Sequence, residues 1–97
     1  MLARRPRVIS SNAVRTFIHG GGKLRYEPVD EGGGERRRWE LIAVTPDGEQ
    51  LPVVVARTGE PRVFLSANAV VAYHEQMFPD AEGVFIPLKA EAASDLA

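Results

Sequence analysis

The sequence predicts an α+β domain: a mainly antiparallel sheet of about five strands with two helices on one face. Three observations carry this. The phrase Pro6-Arg7-Val8-Ile9-Ser10-Ser11-Asn12-Ala13-Val14 returns as Pro61-Arg62-Val63-Phe64-(Leu65)-Ser66-Ala67-Asn68-Ala69-Val70, identical at seven of nine aligned positions once one residue is inserted. After each copy, apolar residues recur at helical spacing. Between the copies, apolar and polar residues alternate with period two, interrupted by glycine- and proline-bearing turns. The pattern is that of pseudo-repeated strand–helix–strand units flanking a hairpin.

Element by element, residues 7–9 form a short first strand, the least defined of the set. Ser10 or Ser11 offers a side-chain oxygen to the free amides of a helix start. That helix runs to about His19, with Val14, Phe17 and Ile18 on one face, and Gly20-Gly21-Gly22 ends it, because glycine accepts a left-handed C′ conformation. Lys23–Val29 alternates, Leu24 and Tyr26 facing one way and Lys23 and Arg25 the other; Pro28 cannot donate to a ladder, so the strand ends there or lies on an edge. Asp30–Glu35 is a loop. Arg37–Val44 and Gln50–Arg57 make the clearest hairpin, its turn built on Pro46 and Gly48. Thr58–Pro61 turns the chain into a strand at Arg62–Leu65, antiparallel to its predecessor. Ser66 or Asn68 caps a second helix reaching about Phe78, with Ala67, Val70, Val71, His74, Met77 and Phe78 on one face, and Pro79 stops it. Val84–Leu88 is the last strand. The expected core is Trp39, Leu41, Val53, Val55, Phe64, Val70, Met77, Val84 and Ile86.

Ninety-seven residues make one domain, read as residues 1–88 with 89–97 as a flexible C-terminal tail. A chain this short buries about 60–65% of the surface its unfolded form exposes. The absence of cysteine excludes a disulfide scaffold and a thiolate zinc site and suits a reducing cytoplasm, the expected location. The charged start has no apolar stretch after it, so it does not read as a secretory signal. No apolar run approaches the ~18 residues of a membrane span, so no membrane partner is expected. Residues 1–38 carry nine basic and four acidic residues, and residues 39–97 three basic and nine acidic. Such asymmetry marks nucleic-acid contact, an acidic partner or self-association, unless the halves interleave and the field cancels.

Candidate chemistry is sparse. Phosphate-cradling glycines precede a helix, whereas Gly20–Gly22 follows one and Gly32–Gly34 lies between strands. His19 and His74 fall at comparable distances after the repeated asparagines, but two imidazoles need a third ligand such as Glu75 or Asp80 to hold a metal. The serines read as caps or tail, without a nucleophile's strand–elbow–helix frame. No catalytic residue, metal or cofactor is therefore assigned, and the protein reads as a non-enzyme. The best binding candidate is Arg36-Arg37-Arg38 beside Trp39, with Arg4, Arg5, Arg7 and Arg25 extending it: guanidiniums to follow a phosphate backbone and an aromatic ring to stack a base. Against this, Trp39 faces the core in the strand register, and an arginine run beside Glu35 and Glu40 also serves as a solvated strand edge. A double-stranded RNA-binding module shares the helix–three strands–helix order, but its basic second-helix start is here Ser66-Ala67-Asn68-Ala69-Val70-Val71, without Lys or Arg.

Gly21-Gly22-Lys23-Leu24, Arg38-Trp39-Glu40-Leu41, Asp47-Gly48-Glu49-Gln50-Leu51-Pro52-Val53-Val54 and Glu60-Pro61-Arg62-Val63-Phe64 together resemble small accessory proteins of bacterial plasmids and integrative elements, some partition- or replication-associated. The similarity covers roughly residues 12–88 and leaves out the N-terminal arginines. It implies a cytoplasmic, non-enzymatic protein working through protein or DNA partners, and it brings no catalytic residues. The expectation is a binding or accessory module acting through a protein partner or as a homodimer, by an exposed sheet edge or the charge-asymmetric surface. The alternative is nucleic-acid binding through Arg36–Arg38 and their neighbours.

Overall fold

The structure, a computed structural model, describes residues 7–30 and 37–88. It is an α+β fold with a mostly antiparallel five-stranded sheet. The elements are β1 (Ile9–Ser10), a 3-10 turn (Ser11–Ala13), α1 (Val14–His19), β2 (Lys23–Asp30), β3 (Arg37–Val44), β4 (Gln50–Val54), β5 (Val63–Phe64) and α2 (Ala67–Met77). The sheet runs β1-β4-β3-β2, and β5 also pairs with β3. β3 is central: antiparallel to β2 over its whole length, to β4 from Ile42 to Val44, and to β5 at Trp39 and Glu40. β1 closes one edge, parallel to β4 through Ile9 and Val53. β2 forms the other edge.

Period two decides which face is covered. Tyr26 on β2, Trp39, Leu41 and Ala43 on β3, Leu51 and Val53 on β4, and Phe64 on β5 are all buried on one face, together with Val14 from α1 and Val70 from α2. Phe17 and Ile18 of α1 and Tyr73 and Met77 of α2 pack against the same cluster, so both helices cover that face. Val14 and Val70 occupy the same place in the two copies of the repeated phrase, and both are fully buried. Each copy also supplies a serine cap: Ser10 Oγ accepts from the Asn12 amide at 3.2 Å, and Ser66 Oγ from the Ala69 amide at 3.1 Å. The strands before them are used differently, β1 parallel to β4 and β5 antiparallel to β3.

Glycine matters at the exit from α1. Gly21 takes φ +100° and its amide donates to the Ile18 carbonyl, while the Gly22 amide donates to Phe17. A Cβ on Gly22 would sit 2.2 Å from the Phe17 ring, so a larger residue there would force that ring to move. In the β3–β4 turn the Thr45 hydroxyl donates to the Asp47 carboxylate and accepts from the Glu49 amide. That first contact holds the Asp47 carboxyl below the usual carboxylate range.

Several expected boundaries move. The first strand is Ile9–Ser10, not 7–9, and the first turn of the helix is 3-10. The strand expected over Gln50–Arg57 stops at Val54, because Val55 enters a turn: its amide donates to the Glu60 carbonyl and its carbonyl accepts from Gly59, which has φ +76°. Val55 is accordingly half-buried rather than core. The strand expected to pair with its predecessor pairs chiefly with β3 and meets β4 only through a Val54–Pro61 bridge.

Val84–Leu88 belongs to no ladder. It lies against the core instead of beside a strand: Val84 and Ile86 are half-buried on the cluster, and the Trp39 indole N–H donates to the Pro87 carbonyl at 2.8 Å. That bond gives the buried indole its partner and anchors the segment.

Candidate functional site

Among the described residues β2 is an edge strand of the sheet with no strand on its outer side, and hydrogen bonds elsewhere fix which way its backbone groups point. The Leu41 amide donates to the Arg62 carbonyl at 3.0 Å, and the Thr45 amide to Glu49 at 2.8 Å. Both acceptors lie on the β4–β5 side of β3. Backbone groups alternate sides along a strand. Odd-numbered residues of β3 therefore address β4 and β5, and even-numbered residues address β2.

Leu24, Tyr26 and Pro28 stand opposite Ala43, Leu41 and Trp39. These are the pairs that exchange no hydrogen bonds across β2–β3, so Leu24, Tyr26 and Pro28 aim their backbone groups away from the sheet. Among the described residues, no turn or loop backbone bonds to the Leu24 or Tyr26 amide. Pro28 sits where its missing N–H costs the ladder nothing. Pro52 follows the same logic on β4: it stands opposite Ile42, an even-numbered β3 residue.

Along this edge runs an open cleft of about 390 Å³. The run Leu24–Pro28, Gly83, Val84, Phe85 and Pro87 of the C-terminal segment, and His74 of α2 line it. Phe85 is 81% exposed, the most exposed large apolar side chain described.

The polar chemistry of the cleft is already engaged. Tyr26 is buried, and its hydroxyl lies 2.7 Å from His74 Nδ1. Burial, helped by neighbouring Tyr73, raises the Tyr26 pKa above the ordinary phenol value. The hydroxyl therefore keeps its proton and is able to donate it to Nδ1. Burial lowers the His74 pKa, which favours the neutral imidazole; the tautomer that accepts at Nδ1 carries its proton on Nε2. The Tyr26 ring also meets Phe64 and His74 edge-on, with centroids 5.9 and 5.7 Å apart. Arg25 pairs with Glu27 beside it and donates to Gln50 Oε1 at 3.0 Å.

The arginines singled out in the sequence are placed as follows. Arg4, Arg5 and Arg36 lie outside the described residues. Arg7 makes an ion pair with Glu49 at 2.5 Å. Arg25 is bound as above. Arg37 and Arg38 are adjacent on β3 and so point to opposite faces; Arg37 is exposed and Arg38 half-buried with a contact of its own. Arg38 pairs with Val29 and Arg25 with Ile42, which separates them by about 13 Å along the strands. The described arginines thus do not gather into one patch, and Trp39, the expected stacking ring, is 3% exposed.

His19 is exposed at the end of α1 and His74 is bound to Tyr26. No group of three metal-ligating side chains occurs among the described residues, and no described helix is long and apolar enough to cross a membrane.

Sequence reasoning placed β2 at a possible edge through Pro28, but it missed the Tyr26–His74 contact and the cleft. Nothing local pairs residues 48 positions apart, and Phe85 reads as an ordinary strand residue. No family model, curated protein or solved structure matches the chain. The resemblance to plasmid- and element-borne accessory proteins therefore stands on its quoted residues alone.

Proposed function

We propose that this protein is a non-catalytic binding module whose β2 edge, with the cleft beside it, receives an extended segment of a protein partner as an added strand. The observation that carries this is the outward aim of the Leu24, Tyr26 and Pro28 backbone groups beside a cleft that the exposed Phe85 also lines. Strand addition draws affinity from main-chain hydrogen bonds and selectivity from pockets for alternate side chains. His74 and Glu27, the cleft groups that could act as acid or base, make structural contacts to Tyr26 and Arg25, and no catalytic role is proposed for them. Nucleic-acid binding is the weaker reading, since the described arginines are dispersed and two of them hold carboxylates.

The test is selection of peptides from a random library on the immobilised protein, with amide hydrogen exchange measured on the complexes. Selected peptides should protect the Leu24 and Tyr26 amides and shift the Phe85 resonances. Binders that leave both amides exchanging as in the free protein would sink the proposal. Titration with DNA at two salt concentrations addresses the alternative, which requires affinity falling steeply with salt.

A further inference from the structure

We infer that the strand β2 receives is β2 of a second copy, in an antiparallel register centred on Tyr26. This rests on the reading of β2 as a strand-accepting edge and names its occupant.

The register follows from the order of side chains on the strand. Only Leu24, Tyr26 and Pro28 aim backbone groups outward within the cleft, so a second β2 must set these residues against one another. With Tyr26 opposite Tyr26 of the second copy, the two tyrosines exchange both backbone hydrogen bonds. The Leu24 amide then donates to the Pro28 carbonyl of the second copy, and the reciprocal bond forms by symmetry. At each end of the pairing the Pro28 ring stands where an N–H would be, so the Leu24 carbonyl opposite it is left without a donor, twice across the twofold.

Charge selects this register over its neighbours. Lys23, Arg25 and Glu27 share the sheet face away from the core, alternating with the buried Tyr26 and Pro28. In the Tyr26-centred pairing, Arg25 stands opposite Glu27 of the second copy, twice over, and Lys23 opposite the neutral Val29. A slip that brings Lys23 opposite Glu27 also sets Arg25 against Arg25 at the axis. The opposite slip sets Glu27 against Glu27. Directly opposed unlike charges on a sheet attract and like charges repel, so only the Tyr26-centred register has attraction without opposed like charges. A twofold contact of this kind is isologous and closes on itself. It would leave no pairing edge at β2 for further growth.

Two charge reversals test the β2–β2 pairing and carry their own control. Arg25→Glu and Glu27→Arg each break the Arg25–Glu27 pair within a chain and turn both cross-copy pairs repulsive. Each variant alone should dimerise roughly tenfold more weakly than the wild type, by sedimentation equilibrium. In an equimolar mixture, Arg25→Glu faces Glu27→Arg, and the unmutated Glu27 of one chain faces the unmutated Arg25 of the other. The mixture should therefore regain wild-type affinity to within about threefold, although the pair within each chain stays broken. Circular dichroism confirms that each variant folds.

A wild type that remains monomeric at about 1 mM (weaker than the weakest specific affinities), or a mixture that associates no better than its components, overturns the inference. If the inference fails while selected peptides still protect the Leu24 and Tyr26 amides, the strand-accepting edge stands and only its occupant is wrong. If those amides are not protected by peptides either, both readings fall.

Discussion

Replacing Tyr26 by Phe removes one hydroxyl and little else. The ring keeps its edge-on contacts with Phe64 and His74, so the change isolates the 2.7 Å bond to His74 Nδ1. A bond of this kind contributes about 1 kcal/mol net. Leaving Nδ1 without its donor in a half-buried position takes the loss toward ~1.5 kcal/mol. For a domain of this size each kcal/mol corresponds to roughly 4–8 °C in Tm.

The loss should also depend on pH. The folded-state pKa of His74 lies below its ordinary value because the ring is desolvated. The unfolded chain, at about 6.5, therefore takes up the proton first. Stability from this site is complete above that value and declines as pH falls from it toward the folded pKa. The Tyr26 hydroxyl favours the neutral ring, so Tyr26→Phe raises the folded pKa and shortens that decline. The stability difference between wild type and variant should shrink between pH 7.5 and pH 5.5. Urea denaturation followed by fluorescence of the single tryptophan, buried Trp39, measures both. A difference below ~0.3 kcal/mol at pH 7.5, or one that does not change with pH, would refute donation from Tyr26 to a neutral imidazole.

Three further substitutions probe the frame around the cleft. Trp39→Phe keeps an aromatic ring in the core but deletes the donor to Pro87; it should cost about 1–2 kcal/mol and speed amide exchange at Val84 and Ile86, whereas unchanged exchange there would show that apolar packing alone seats the segment. Gly22→Ala drives a methyl group into the Phe17 ring and should destabilise by about 1–3 kcal/mol in thermal melts, with Gly21 left intact. Ser66→Ala removes the cap on the Ala69 amide and should cost about 1 kcal/mol; Ser10→Ala, which caps only a 3-10 turn, should cost less in the same urea titration.

The parts of the fold legible in sequence are those whose information is local. The Arg37–Val44 and Gln50–Val54 hairpin follows from alternation and a turn containing Pro46 and Gly48. Both helices follow from a serine cap before a helical apolar pattern, and Val14 and Val70 from their matched places in the repeat. Errors fall where a partner distant in sequence decides. Val84–Leu88 has a strand's composition, but Trp39 and the core hold it across the sheet, so it never enters a ladder. Val55 has the apolar character of its neighbours, yet Glu60 and Gly59 draw it into a turn. The cleft is less legible still. It needs β2 at an edge with His74 of α2 and the 83–87 segment both brought to it, and each of these is a tertiary fact. Pro28 is the single local signal, and it marks the edge without saying what faces it.

The uneven charge along the chain bears on which surface a partner meets. A basic first third and an acidic remainder suggest a strong dipole, but the fold brings the two together. β1 lies beside β4, and Arg7 reaches Glu49 at the β3–β4 turn. Arg25 is taken by Glu27 and by Gln50 of β4. These contacts are exposed or half-exposed and contribute little to stability. Their consequence lies elsewhere: they locally neutralise guanidiniums that would otherwise repel one another or attract a polyanion. What β2 then offers a partner, among the described residues, is a row of outward-facing backbone groups with Lys23 and the paired Arg25 and Glu27 beside them. Long-range attraction gives such a surface little, so association should be slow to encounter and only weakly sensitive to salt. Pairing that survives about 0.5 M salt, where exposed charges are largely screened, would place its free energy in the main chain. The Arg25–Glu27 contacts would then select the register rather than supply the affinity.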